Sequence, residues 1–204
     1  MPGVRAVLLA AGLGTRLGGQ PKAALHHPAG GTLLERSVAA LHAAGVADVC
    51  VVLGPYRERL MPLVEASGAQ PLLHTLAAPS LIDSQRLALT EHTADPSGPA
   101  PDVMLLLADL PLLQAEHLRP VLAAWQARAA GIQALMPVVN GQRGHPVVLS
   151  GEAVAGVLAQ PVERGVRAWL AAHPQAVQAL PLASAAYITD VDTLEDATRL
   201  GLSP

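Results

Sequence analysis

Short apolar runs alternate with helix-patterned stretches through the first two thirds of the chain, and that alternation leaves few folds open. Ala6–Ala11, Asp48–Leu53, Pro71–His74 and Val103–Leu107 have the length and composition of strands. Between them Leu34, Val38 and Leu41 share one helical face, and Thr32 with Glu35 three residues on has the pattern of a capping box. Leu118, Val121, Leu122 and Trp125 mark a further helix after the fourth strand. Strand, helix, strand in this rhythm predicts parallel strands joined by crossover helices, a three-layer α/β fold. Ala134–Val139 and His145–Leu149 read as two strands about an Asn140-Gly141 turn, which adds a small β-hairpin insertion to a mostly parallel sheet. The segment Ala94–Asp102, with three prolines and a glycine, reads as a surface loop, and the remainder as short helices ending in Asp190–Leu200.

The chain of 204 residues is 51% apolar and 14% charged, enough to fill one core, so residues 1–204 are expected to form a single domain. With no Phe, two Trp and two Tyr, the core must be built of Ala, Leu and Val. The same scarcity removes the aromatic platform of single-stranded nucleic-acid binders, and a net charge of −3 gives no basic footprint. Cys50 is alone in an apolar run, so it reads as a buried thiol. The apolar stretch before Gly12 is too short to span a bilayer and has no cleavage pattern, which predicts a cytoplasmic protein without a membrane partner.

The most informative stretch follows the first strand: Leu8-Leu9-Ala10-Ala11-Gly12-Leu13-Gly14-Thr15-Arg16-Leu17-Gly18-Gly19-Gln20-Pro21-Lys22. Glycines allow backbone amides to approach an anion, while Arg16 and Lys22 supply the cations that offset charge on a phosphorus under attack. Two better-known glycine motifs do not fit. The dinucleotide pattern needs a glycine where Leu17 stands, and the P-loop needs Gly before its lysine, where Pro21 stands. Asp109 follows the apolar run Met104–Leu107, so it should sit at the carboxyl end of a central strand, where open α/β sheets bind ligands. Its hard oxygens suit Mg²⁺. An aspartate ahead of Pro111 could instead close a turn, and Asp192, with Glu195 three residues on, could cap a helix.

The run from Leu9 to Lys22 resembles the glycine-rich signature of the MobA-like nucleotidyltransferase superfamily, which has a Rossmann-like fold. Ala108-Asp109-Leu110-Pro111 resembles the family's strand-end motif, with Ala108 in place of a usual glycine. Gly144-His145-Pro146 and Asp190-Val191-Asp192-Thr193-Leu194-Glu195-Asp196 resemble blocks of the molybdenum cofactor cytidylyltransferases. The resemblance implies transfer of a nucleoside monophosphate from a triphosphate to a phosphate acceptor, with release of pyrophosphate. Asp109 and Asp192 would hold Mg²⁺, with Asp190 as an alternative to Asp192. Lys22 would stabilise the transition state and Arg16 the leaving pyrophosphate. Leu9, Ala10, Ala11, Gly12, Gly14 and Thr15 would cradle the nucleotide with Arg16 and Lys22, and Ser84 would help read the base. Arg143 and His145 would meet the acceptor; Arg164 and Arg167 are surface arginines with the same potential. By resemblance the nucleotide is CTP rather than GTP, since guanylyl-transferring members tend to carry glycine where Ala11 stands. The resemblance also implies that the acceptor would be molybdopterin, with transient contact to a molybdoenzyme or its chaperone. A sugar phosphate or methylerythritol phosphate would suit the residues equally, and a non-catalytic nucleotide-binding cofactor chaperone is the rival of another class.

Overall fold

The structure is a computed structural model in which residues 3–93 and 101–204 are described. Among the described residues the strands are β1 (Arg5–Ala10), β2 (Val49–Leu53), β3 (Gln70–Leu73), β4 (Val103–Leu107), β5 (Ala134–Val139), β6 (Gln142–Arg143), β7 (Val147–Leu149) and β8 (Val177–Pro181). The helices are α1 (Leu33–Ala43), α2 (Arg57–Ala66), α3 (Leu81–His92), α4 (Ala115–Gln126), α5 (Gly151–Leu158), α6 (Val166–Ala172) and α7 (Leu194–Arg199). The strands join in one sheet in the order β3-β2-β1-β4-β7-β5-β6, and β8 also pairs with β5. β1 to β4 run parallel, as do β5 and β8, while β7 and β6 supply the antiparallel pairs. The four expected strands are thus present within a residue or two of their predicted bounds, and the loop expected over 94–102 falls largely outside the described residues.

The three layers follow from the pleat. Along β1, Ala6, Leu8 and Ala10 join one core with Leu34, Val38 and Leu41 of α1, Leu60 and Val64 of α2, and Leu118, Val121 and Trp125 of α4. Val7 and Leu9, pointing to the opposite face, join a second core with Leu89 of α3, Val154 and Val157 of α5, and Trp169 and Leu170 of α6. A strand buried on both faces needs a continuous apolar run, which is why β1 reads Ala-Val-Leu-Leu-Ala. Thr32 caps α1 as anticipated: its hydroxyl accepts from the Glu35 amide at 3.3 Å, and the Glu35 carboxylate accepts from the Thr32 amide at 2.7 Å.

The hairpin turns at Asn140 and Gly141, whose φ values of 50° and 81° are both left-handed, as a tight primed turn requires. Its return limb is shorter and more broken than the sequence suggests. Arg143 pairs with Val138 and Val148 with Leu135, so residues 144–147 stand against 136–137. Within that break the His145 amide leaves the ladder for the Tyr187 carbonyl at 2.9 Å, and Pro146, joined by a cis peptide, has no N–H to give. The strand therefore begins at Val147 rather than His145. In the C-terminal part, where only short helices were expected, β8 adds a parallel strand alongside β5. Cys50 is half-buried, and burial raises its thiol pKa. No described helix is long and apolar enough to cross a membrane.

Candidate active site

β1 and β4 lie side by side in parallel, with Leu9 opposite Leu107, so the loop after β1 and the Ala108-Asp109 step after β4 leave the sheet together. Gly14, in the left-handed region at φ 56°, begins a tight reversal: its carbonyl accepts from the amides of Leu17 at 2.8 Å and Gly19 at 3.0 Å. A Cβ on Gly14 would lie 1.9 Å from the Gln20 carbonyl oxygen, so only glycine fits. The loop then folds back at Pro21 and delivers Lys22 to the end of β4. There the Lys22 ammonium donates to Asp109 Oδ2 at 2.8 Å and to Asp192 Oδ1 at 2.6 Å, while Arg16 Nη2 lies 2.9 Å from Asp192 Oδ2.

The two aspartates that lie far along the chain reach this point through backbone ties. The Val191 amide donates to the Asp109 carbonyl at 3.1 Å, and the Val191 side chain is wholly buried with Leu17 of the glycine-rich loop and with Leu202. The cap of α7 is Thr193, whose hydroxyl accepts from the Asp196 amide at 3.1 Å; the Asp196 carboxylate in turn accepts from the Thr193 amide and hydroxyl. Capping thus falls on Thr193, which leaves the Asp192 carboxylate to Lys22 and Arg16. Nor is Asp109 consumed by a turn: Oδ2 takes Lys22, and Oδ1 is buried with no hydrogen-bond partner among the described residues.

Asp109, Asp190 and Asp192 each offer a carboxylate oxygen within 4.8 Å of the others. Three carboxylates offering hard oxygen donors, with the buried Oδ1 of Asp109 unsatisfied, match the chemistry of Mg²⁺ or Mn²⁺. The charges are correspondingly interdependent. Burial opposes the charged form of Lys22, but Asp109 and Asp192 outweigh it and raise the ammonium's pKa above the ordinary value. Asp192 is lowered, first by the Lys22 hydrogen bond, against burial, and then by the Lys22 and Arg16 charges. Asp190 is raised by burial and by the neighbouring Asp109 and Asp192.

A cleft of about 370 Å³ opens beside this cluster, between the glycine-rich loop, the end of β4 and the start of α3. Leu9, Ala10, Ala11, Gly12, Arg16, Lys22, Ser84, Asp109 and Asp192, all singled out in the sequence, line it together. Gly14 and Thr15 do not; Gly14 shapes the loop from behind. Asp190, Pro79, Ser80 and Leu81 also line it, with Ala23, Leu107 and Ala108, and Ser80 caps α3 in a box with Asp83. The Ser84 hydroxyl donates to the Ser80 carbonyl at 3.1 Å. Arg143, Arg164 and Arg167 are exposed away from the cleft lining. His145 is also outside the lining; burial lowers its pKa, against the pull of Asp109, the Leu105 carbonyl and Asp190, and its Nδ1 has no partner among the described residues.

The glycine-rich loop after β1, Asp109 after β4 and Asp190 and Asp192 ahead of α7 thus meet around Lys22 at one cleft. The chain belongs to the MobA-like NTP transferase domain family, whose model matches residues 6–177. Among curated proteins it is similar to the bifunctional protein GlmU of Xanthobacter autotrophicus, 36% identical over 124 residues, which cover 61% of this chain and 27% of that protein. The chain thus spans only part of the length of such relatives. In fold it is similar to Rv0371c of Mycobacterium tuberculosis, with a TM-score of 0.78, 23% identity, and coverage of 98% of this chain and 97% of that one. A manganese complex of Rv0371c matches with a TM-score of 0.71 at 22% identity, covering 97% of each chain. CMP:2-keto-3-deoxy-manno-octonic acid synthetase, solved with CTP, matches with a TM-score of 0.71 at 15% identity, covering 97% of this chain and 96% of that one.

Proposed function

We propose that the chain acts as one domain that transfers CMP from CTP to a phosphate-bearing acceptor, molybdopterin being the acceptor that its resemblance to the molybdenum cofactor cytidylyltransferases favours, with release of pyrophosphate. The observation that carries this reading is the meeting of Lys22, Asp109 and Asp192 beside a cleft walled by loop backbone. Bound at Asp109, Asp190 and Asp192, Mg²⁺ would orient the phosphates and offset their charge. An acceptor phosphate oxygen attacks the α-phosphorus in line; the new P–O bond forms as the bond to the β-phosphate oxygen breaks, and pyrophosphate leaves. The acceptor is already ionised at neutral pH, so no general base is needed. Lys22 and the loop amides stabilise the charge that develops, and Arg16 holds the pyrophosphate. Ala10, Ala11, Gly12 and Ser84 face the base. The methyl of Ala11 takes space that a purine would need, and a purine in a pocket matched to cytosine leaves buried groups unpaired at ~1–3 kcal/mol each. Arg143 and His145, which do not line the cleft, are assigned to the acceptor side by the resemblance alone. The manganese complex of Rv0371c and the CTP complex of the octonic acid synthetase support the choice of a divalent ion and a pyrimidine nucleotide. Pyrophosphate release measured with each of the four triphosphates against molybdopterin, sugar phosphates and methylerythritol phosphate tests the proposal. A higher kcat/KM for CTP than GTP with molybdopterin supports it, and a higher value for GTP, or turnover with a sugar phosphate alone, contradicts it.

A further inference from the structure

The turn from β2 into α2 touches the glycine-rich loop at three points. A Cβ on Gly54 would lie 2.8 Å from the Ala11 carbonyl oxygen and 3.0 Å from its Cα, so the two backbones meet at a distance only glycine permits. Two residues on, the Tyr56 hydroxyl lies 2.9 Å from the Leu13 carbonyl oxygen and 2.5 Å from that of Gly19. A phenol has one proton, so it is shared between two acceptors that stand at either end of the Gly14–Gly18 reversal. Within that reversal Gly14 and Gly18 both occupy the left-handed region, as does Gly19 beside it. Glycine-rich backbone is costly to order, and a cost met on folding need not be met on binding. The loop's own closure rests on the Gly14 carbonyl, and Leu17 packs with Val191 and Leu202; the Tyr56 side chain ties the two limbs of the reversal to the turn between β2 and α2. Tyr56 is not among the residues that line the cleft.

We propose that Tyr56 is a positioning residue for nucleotide binding, holding Leu13 and Gly19 so that the glycine-rich loop meets a triphosphate already in its receiving shape. The role of the loop rests on the nucleotidyltransferase reading; the tie itself does not. Tyr56→Phe removes the hydroxyl and keeps the ring. Amide hydrogen exchange, equilibrium binding of CTP with Mg²⁺ but no acceptor, thermal unfolding and steady-state kinetics on the full chain test the proposal together. The expected result is faster exchange at residues 13–19 with β1 and β2 unchanged, a CTP Kd and KM raised about two- to tenfold, the range of one net hydrogen bond, and kcat within about twofold of wild type. Unchanged loop exchange and unchanged Kd overturn the proposal. So does a lowered melting temperature with exchange raised throughout the chain, since a general prop would act in that way. A wild-type protein that binds none of the four triphosphates, while Tyr56→Phe still loosens residues 13–19, keeps the tie but overturns the nucleotide reading and with it the binding role of Tyr56.

Discussion

Lys22 Nζ stands 2.8 Å from Asp109 Oδ2 although 87 positions separate the two residues in the chain. The same ammonium reaches Asp192, so one cation bridges two of the three carboxylates suited to a metal ion. An ammonium and a divalent ion sharing carboxylates would repel each other, and on the proposed reading Lys22 would relieve that repulsion by turning to the phosphates. Lys22→Met should therefore lower nucleotidyl transfer by about 10²–10³-fold, the scale of one lost transition-state donor. In the nucleotide-free protein it should tighten Mn²⁺ binding, read by the loss of the free-ion electron paramagnetic resonance signal. Unchanged Mn²⁺ affinity would mean that the ion does not share the carboxylates Lys22 bridges.

The carboxylates make a second prediction. Asp109→Asn and Asp192→Asn should each reduce turnover by orders of magnitude with the fold intact, and the double variant should be little worse than either single one, because groups holding one ion act as a unit. Asp190→Asn separates a three-carboxylate site from a two-carboxylate one: weakened Mn²⁺ binding makes Asp190 a ligand, whereas wild-type binding leaves the ion to Asp109 and Asp192. Titration of each variant with Mn²⁺ reads the difference.

Two glycines of the same loop should fail in different ways. Gly14→Ala meets both a left-handed backbone and the Gln20 carbonyl, so it should destabilise the fold by about 1–3 kcal/mol and weaken nucleotide binding as well. Gly12 lines the cleft, and a Cβ there would meet nothing within 4 Å. Gly12→Ala should keep wild-type stability in urea unfolding and lose affinity for CTP alone. Equal stability losses in the two variants would contradict this assignment of the loop.

Much of this arrangement was legible in the sequence because strands and caps leave local marks. Val103–Leu107 was bounded to the residue, and Asn140-Gly141 announced its turn through the two residue types that tolerate φ above zero. The C-terminal strand β8 was not legible: Val177–Pro181 is only partly buried, so it has no continuous apolar run and resembles a loop. The sequence left the role of Asp192 open between cap and ligand. The cap is Thr193, whose own hydroxyl takes the capping bond, so the capping reading of Asp192 falls away. Nothing in the sequence pointed to Tyr56, because a lone tyrosine after a Gly-Pro pair reveals no partner until the chain brings Leu13 and Gly19 within reach.

His92 makes stability depend on pH. Its buried Nε2 lies 2.7 Å from the Pro101 carbonyl, and Nδ1 has no partner among the described residues. Burial lowers its pKa below the ordinary 6.5, outweighing the Pro101 carbonyl, Asp48 and Asp102, while Arg5 adds to the lowering. As pH falls, the unfolded chain takes up this proton first. The stabilising contribution is therefore full above about pH 6.5 and is lost as pH falls through the folded value. In His92→Gln, the difference in urea midpoint between about pH 7.5 and 5.5 should be smaller than in wild type; an equal difference would assign the pH dependence elsewhere.

The most direct measurement of the central claim follows the label of CTP in a reaction with a phosphate acceptor and Mg²⁺. With [α-³²P]CTP the wild-type protein should place the label on the acceptor in a form resistant to phosphatase, while [γ-³²P]CTP should place it in pyrophosphate, and Asp109→Asn should do neither. Transfer of the γ-label to the acceptor, or tight binding of CTP with no movement of either label across the acceptor panel, would contradict it.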